Sequence, residues 1–193
     1  AMLHELTKMD SLARFPARAH LLAGTSSGGL IALMLAAGYT PGAILRLYLE
    51  KIPQVFQRPL IRRLPGLRVA LDALLPKYDN RHLLRLAEDV FPSDLKLGDL
   101  QHRVLITSFD LNGVLDGRRS WKPKFFHNFP IRGNDSGQRV IDVAMRTAAA
   151  PAYFPVYQTY IDGGVVVNNP SIPALLQALY QPENPADSRR QHV

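Results

Sequence analysis

Residues 21–35 constrain the fold of this chain more than any other stretch. Leu21-Leu22-Ala23 is apolar, Gly24-Thr25-Ser26-Ser27-Gly28-Gly29 is small and polar, and Leu30-Ile31-Ala32-Leu33-Met34-Leu35 is apolar again. That order reads as strand, tight turn, helix. Gly24-x-Ser26-x-Gly28 in such a setting is the nucleophile-elbow pattern. A sharp strand-to-helix turn lifts the serine clear of the backbone. Glycines two before and two after it are expected to remove Cβ atoms that would collide. The helix N-terminus, including the Ser27 N–H, offers free donors and partial positive charge where an oxyanion would form. Acyl transfer needs this combination of exposed hydroxyl and ready donors. The same glycines would also serve a close-packed strand–helix junction with no chemistry.

With 193 residues, 47% of them hydrophobic and 20% charged, the chain can bury the core of one soluble domain. It has no cysteine, so it holds neither a disulfide nor a thiolate metal site. The apolar run Leu30–Ala37 is too short to span a bilayer. Ala1-Met2 leads straight into helix-like sequence with no secretory pattern. The expectation is a chain that starts inside a larger protein, soluble or peripheral to a membrane, with a cytoplasmic location favoured.

A net charge of +7 points to anionic partners. No nucleic-acid-binding signature accompanies it, so nucleic acid is not expected and an anionic lipid surface ranks above it. The segment Gln57–Lys77 carries Arg58, Arg62, Arg63, Arg68 and Lys77 against Asp72, with leucine, isoleucine and valine interleaved. Cations among apolar side chains suit peripheral contact with an anionic membrane, and equally a covering flap.

Further along, strands and helices alternate. Helices are predicted over Met2–Leu12, Gly28–Ala37 (ended by Gly38), Thr40-Pro41 to Lys51, Asn80 (as cap) to Val90, Val140–Ala149, and Pro170-Ser171 to Tyr180. Strands are predicted at Arg18–Ala23, Arg103–Phe109, Trp121–Phe126 and Val156–Ile161, with Asn112-Gly113 as a hairpin signal. This is the pattern of an α/β domain with a largely parallel sheet covered on both faces. In such sheets functional loops gather at the strand carboxyl ends, where both Ser26 and Asp162 fall.

A serine nucleophile needs a base. His4, His20, His82, His102 and His127 sit on or beside predicted helices and strands, without a motif around them. His192 alone would complete a Ser…Asp…His order, but it lies in the polar tail. Asp162 ends a strand and precedes Gly163-Gly164, which would leave its carboxylate exposed at the sheet edge. The same dipeptide also makes a routine Asx-turn.

Several separated pieces, in order, resemble the patatin-like phospholipases. Gly24-Thr25-Ser26-Ser27-Gly28-Gly29 resembles their nucleophile elbow, and Asp162-Gly163-Gly164 with Asn168-Asn169-Pro170 resembles their D-G-G…N-N-P segment. Ala144 to Pro155, and Tyr78 to Asp110, are similar to the stretches between. The resemblance implies a three-layer α/β/α domain over residues 1–180, followed by a polar tail at 181–193. It implies a lipid acyl hydrolase of phospholipase A type, acting on phospholipids or other acyl-ester lipids without metal or organic cofactor. It implies a Ser–Asp dyad, with Ser26 as nucleophile and Asp162 as base, supported by Gly24, Ser27, Gly28, Gly163 and Gly164. The family's glycine-rich oxyanion segment has no counterpart before Ser26, and the expectation is that the chain begins just beyond it. Two alternatives stand beside this reading: a catalytically silent domain that binds membrane or a partner, and a Ser-His-Asp esterase using His192.

Overall fold

The computed structural model describes residues 2–9, 15–56, 76–131 and 133–179. The segment from Gln57 to residue 75 and the tail with His192 lie outside the described residues. Helix α1 (Met2–Leu6) is shorter than the periodicity through Leu12 suggests. A single turn, α2 (Phe15–Arg18), precedes β1 (Leu21–Thr25). Strand β1 therefore starts later than the predicted Arg18, because Pro16 suits the first turn of a helix and not a ladder.

Helix α3 (Ser27–Ala36) is apolar on every side and lies at the centre, against β1 and β2. Gly38, at φ 91°, ends it in the left-handed region. The Thr40 hydroxyl accepts the Ala43 N–H at 3.2 Å and caps α4 (Pro41–Val55). That helix runs one turn beyond Lys51, even though Pro53 inside it has no N–H to donate to the Leu49 carbonyl. Helix α5 (Asn80–Val90) is capped by Asp79, whose carboxylate accepts the Arg81 N–H at 2.8 Å, and not by Asn80. A full negative charge suits the N-terminal dipole better than an amide. The Asn80 amide instead donates to the Pro155 carbonyl at 3.2 Å.

The sheet is built on β2 (Arg103–Leu115), much longer than its predicted core. It runs parallel to β1, with Thr25 opposite Thr107, and antiparallel to β3 (Arg118–His127). Helix α6 (Val140–Thr147) follows, then β4 (Tyr160–Asp162), antiparallel to β2 with Asp162 opposite Ser108. Helix α7 (Ser171–Leu179) ends the described chain. Among the described strands, parallel pairing is thus confined to β1–β2. The two-residue link between β2 and β3 dictates an antiparallel ribbon there.

Two turns fall elsewhere than the sequence signals. Asn112-Gly113 lies within β2 at a bulge, and the hairpin turn is Asp116-Gly117, at φ 50° and 74°. Both dipeptides fit a type I′ turn, and the register with β3 selects the second. Strand β4 keeps only Tyr160 and Ile161 of the predicted Val156–Ile161 and ends at Asp162. Gln158 and Thr159 turn at φ 48° and 72°, while Tyr157 and Tyr160 exchange backbone bonds of 3.0 and 2.9 Å.

Leu33, Ile106, Val143, Ala144 and Met145 form the centre of the core between the sheet, α3 and α6. Gly29 allows this close approach: a Cβ there would meet Thr147 at 3.0 Å and Ile106 at 3.3 Å. No helix among the described residues is long and apolar enough to cross a membrane.

Candidate active site

Ser26 sits between β1 and α3 with φ 56° and ψ −127°. A positive φ at a non-glycine residue costs about 1–3 kcal/mol and persists only where surrounding contacts enforce it. Those contacts are visible. The Ser26 N–H donates to the Thr147 hydroxyl at 2.9 Å, and the Ser26 carbonyl accepts the Leu30 N–H at 3.1 Å. Thr147 in turn donates to the Thr107 carbonyl at 2.7 Å. The Thr107 hydroxyl donates to Thr25 at 2.7 Å, and Thr25 donates to the Val167 carbonyl at 2.9 Å. Three buried threonines from β1, β2 and α6 thus bind the elbow to the loop after Asp162.

The flanking glycines divide their work unequally. A Cβ on Gly24 would collide with the Gly28 carbonyl and lie 2.6 Å from the Gly29 nitrogen, so the turn admits nothing larger. A Cβ on Gly28 would meet nothing within 4 Å. The expected steric need is therefore real at Gly24 and absent at Gly28, because Gly28 faces open space and Gly29 faces the core. Ser27 opens α3, and its carbonyl accepts the Tyr48 hydroxyl at 2.8 Å. Burial pushes Tyr48 up to about 12, so it remains a donor at any physiological pH.

Asp162 ends β4 but is only 3% exposed, not open at the sheet edge as its glycine neighbours suggest. The helical turn Gly163–Val165 folds over it. Gly163 makes this possible, since a Cβ there would overlap Thr107 and reach its carbonyl oxygen at 2.7 Å. The Gly164 N–H donates to an Asp162 carboxylate oxygen at 2.7 Å, which is the Asx-turn. The Asp162 N–H donates to the Ala149 carbonyl at 2.9 Å. Burial pushes the Asp162 carboxyl above the usual carboxylate range, while the Ser26 hydroxyl and the Gly164 N–H, as donors to the anion, pull it back.

The approach to β4 is held from α6. Arg139 donates to both oxygens of Asp142, at 2.8 and 3.1 Å, and Tyr157 and Gln158 donate to the same carboxylate at 3.0 and 3.1 Å. Arg146 grips Gln158 at 2.6 Å and lies over the rings of Phe126 and Tyr160. This clamp explains how Gln158 and Thr159 keep a conformation that neither prefers.

A cavity of about 310 Å³ opens from Ser26 and Ser27 between α3, α4 and α5. Leu30, Tyr153 and Phe154 line it, together with Ile52, Leu83 and Ala150. Phe56 meets Tyr78 edge-on and Phe154 lies tilted against both rings, and Lys77 lies 4.8 Å over the Tyr153 ring. Among the described residues no histidine lines this cavity or hydrogen-bonds Ser26 or Asp162. The threonine triad and Tyr48 carried no sequence signal of their own.

The model of the patatin-like phospholipases matches residues 2–175. The chain belongs to the patatin-like phospholipase family. Its fold is accordingly the three-layer α/β/α fold of that family. It is 36% identical over 171 residues to a Bacillus subtilis sporulation protein provisionally named a hydrolase, CotR, covering 88% of this chain and 50% of that one. It is 33% identical over 175 residues to a cGAMP-activated phospholipase of Pseudomonas aeruginosa, covering 86% of this chain and 49% of the relative. The Escherichia coli cGAMP-activated phospholipase shares 35% over 166 residues, covering 81% and 43%. The chain thus spans about half the length of the curated relatives it matches, or slightly less.

Proposed function

We propose that this patatin-like domain hydrolyses acyl esters of phospholipids or related lipids through a Ser26–Asp162 dyad. The observation that carries the reading is a conformationally forced serine whose hydroxyl lowers the pKa of a buried carboxylate, itself held by the Gly164 N–H. Asp162 takes the Ser26 Oγ proton as Oγ attacks the ester carbonyl carbon. The oxyanion forms beside the N-terminus of α3, where the Ser27 N–H is a donor. The alcohol leaves with the proton from Asp162, and an acyl-enzyme remains. Water then attacks that acyl group while Asp162 again accepts a proton, which it returns to Ser26 Oγ as the fatty acid departs. The cleft lined by Leu30, Tyr153 and Phe154 receives the chain.

Ser26→Ala is expected to abolish both ester turnover and labelling by a fluorophosphonate probe while leaving the fold intact. Asp162→Asn is expected to be nearly as damaging, and the double variant little worse, because the pair acts as one unit. The loss is not one of folding. A carboxyl whose folded pKa is raised stabilises the protein below its unfolded pKa and loses that contribution as pH rises through the folded value. At neutral pH the charge is a burden, and an amide oxygen can still accept the Gly164 N–H. Full activity in the Asn variant with an intact melting curve would remove the dyad.

A further inference from the structure

The β2–β3 hairpin shows a combination that the proposed chemistry does not use. Ser26 and Asp162 lie level with Thr107 and Ser108 of β2, yet β2 continues to Leu115 before turning. At about 3.3 Å per residue the ribbon reaches roughly 20 Å beyond the catalytic level, from the same edge of the sheet. Its outer half is apolar where water would favour polar groups. Trp121 is 69% exposed, and Val114 and Leu115 are each 60% exposed. The pairing of Val114 with Arg119 puts Val114 and Trp121 on one face, with Leu115 at the tip beside Arg118.

The same outer half is strongly cationic. Arg118, Arg119 and Lys122 face a single acid, Asp116, in the turn. Arg119 and Lys122 donate only to backbone carbonyls of β2, at Leu111 and Val114. Among the described residues no carboxylate pairs with any of the three. Protection of an edge strand accounts for lysines and for Pro123, both of which block pairing with another chain. It does not account for an exposed tryptophan with two exposed aliphatic side chains, which weaken that protection.

We propose that this hairpin is the element by which the protein docks on an anionic phospholipid surface. Trp121, Val114 and Leu115 enter the boundary between head groups and acyl chains, and Arg118, Arg119 and Lys122 meet the lipid phosphates and carboxylates. An indole at that depth satisfies both its apolar body and its N–H. The cations set the sign of the surface, and the projection from the catalytic edge turns the Ser26 cleft toward the lipid. The choice of a lipid surface as occupant rests on the lipid-hydrolase reading.

Trp121 is the only tryptophan, so intrinsic fluorescence reports on this hairpin alone. The full chain is titrated with phosphatidylcholine vesicles, with and without phosphatidylserine, at low and high salt. The expected result is a blue shift with the anionic vesicles, quenched by brominated acyl chains and weakened by salt. Replacing Arg118, Arg119 and Lys122 together with glutamine is expected to lower partitioning about fivefold per cation, roughly 100-fold in all. Turnover of a short, water-soluble ester should not change. Co-sedimentation without a Trp121 shift overturns the proposal, as does failure to bind anionic vesicles, including the case in which the hairpin instead captures a protein. Ester turnover by the unsubstituted chain separates the two readings. A shift in a chain that turns over no ester keeps the hairpin and removes the chemistry. Soluble-ester turnover with no shift does the reverse.

Discussion

Ser26 and its neighbours show how one backbone conformation depends on glycine at one position and not at another. The Gly24 Cβ direction runs into the first turn of α3, whereas that of Gly28 meets open space. Gly24→Ala is therefore expected to destabilise the protein by several kcal/mol or prevent folding, at the large end for a backbone clash. Gly28→Ala should leave the melting temperature unchanged or raise it, since alanine gains up to about 1 kcal/mol over glycine in a helix. Thermal unfolding of the two variants side by side tests the asymmetry. In the proposed dyad the Asp162 carboxyl must be ionised to accept the Ser26 proton, and burial raises its pKa above the usual aspartate value of 3.8. The acid limb of kcat/KM, which reports the free enzyme, should accordingly fall with decreasing pH through an inflection above 3.8. A limb at or below that value would contradict the buried geometry.

Helix α6 is the element on which the site depends most. From its C-terminal end Thr147 holds the Ser26 N–H and the Thr107 carbonyl together, and Gly29 of α3 packs on the same side chain. Its other face carries the Arg139–Asp142 pair and Arg146, which fix the turn before β4. The Asp142 carboxyl is buried, which raises its pKa, but the donors Arg139 and Tyr157 outweigh this and hold it below the usual range. Thr147→Val keeps the shape and removes the hydroxyl, leaving a buried N–H and a buried carbonyl unpaired. The expected cost is about 1–3 kcal/mol of stability. A fall in kcat should accompany it, because the serine loses its anchor, and Thr147→Ser should restore both. Chemical denaturation and steady-state kinetics on the three proteins decide this. A Val variant with unchanged kcat would detach the threonine from the positioning of Ser26.

For the whole molecule, the strands, α3 and α6 form a rigid floor, while α4, α5 and the Ala150–Phe154 loop make the walls of the cleft. Its lining is apolar apart from the serines and the hydroxyls of Tyr48 and Tyr153. Such a cleft binds an acyl chain through area removed from water, at about 25 cal/mol per Å². Esters of medium and long chains should therefore show a kcat/KM at least about tenfold above acetyl esters, the gain of roughly two buried methylenes. Equal rates along a chain-length series of soluble esters would argue that the cavity does not take the acyl group.

What the sequence determined by itself was local in its physics. Ala23 to Leu35 could only be strand, turn and helix, because the apolar runs and small polar centre leave no other periodicity. The same local signals located Ser26, the Thr40 cap and the Gly38 stop. The Asp162-Gly163-Gly164 turn was equally legible, though its burial was not. Tertiary structure decided matters where two local signals were equivalent or where partners lie far apart in the chain. Asn112-Gly113 and Asp116-Gly117 are interchangeable as turns until the register with β3 selects one. Gln158-Thr159 carries no turn signal, and its positive φ values exist because Asp142, Arg146 and Leu111 hold it. Thr25, Thr107 and Thr147 are ordinary threonines in sequence, spread over 122 positions. Only the packing of β1, β2 and α6 brings their hydroxyls within hydrogen-bond range, because the energy that joins them is non-local.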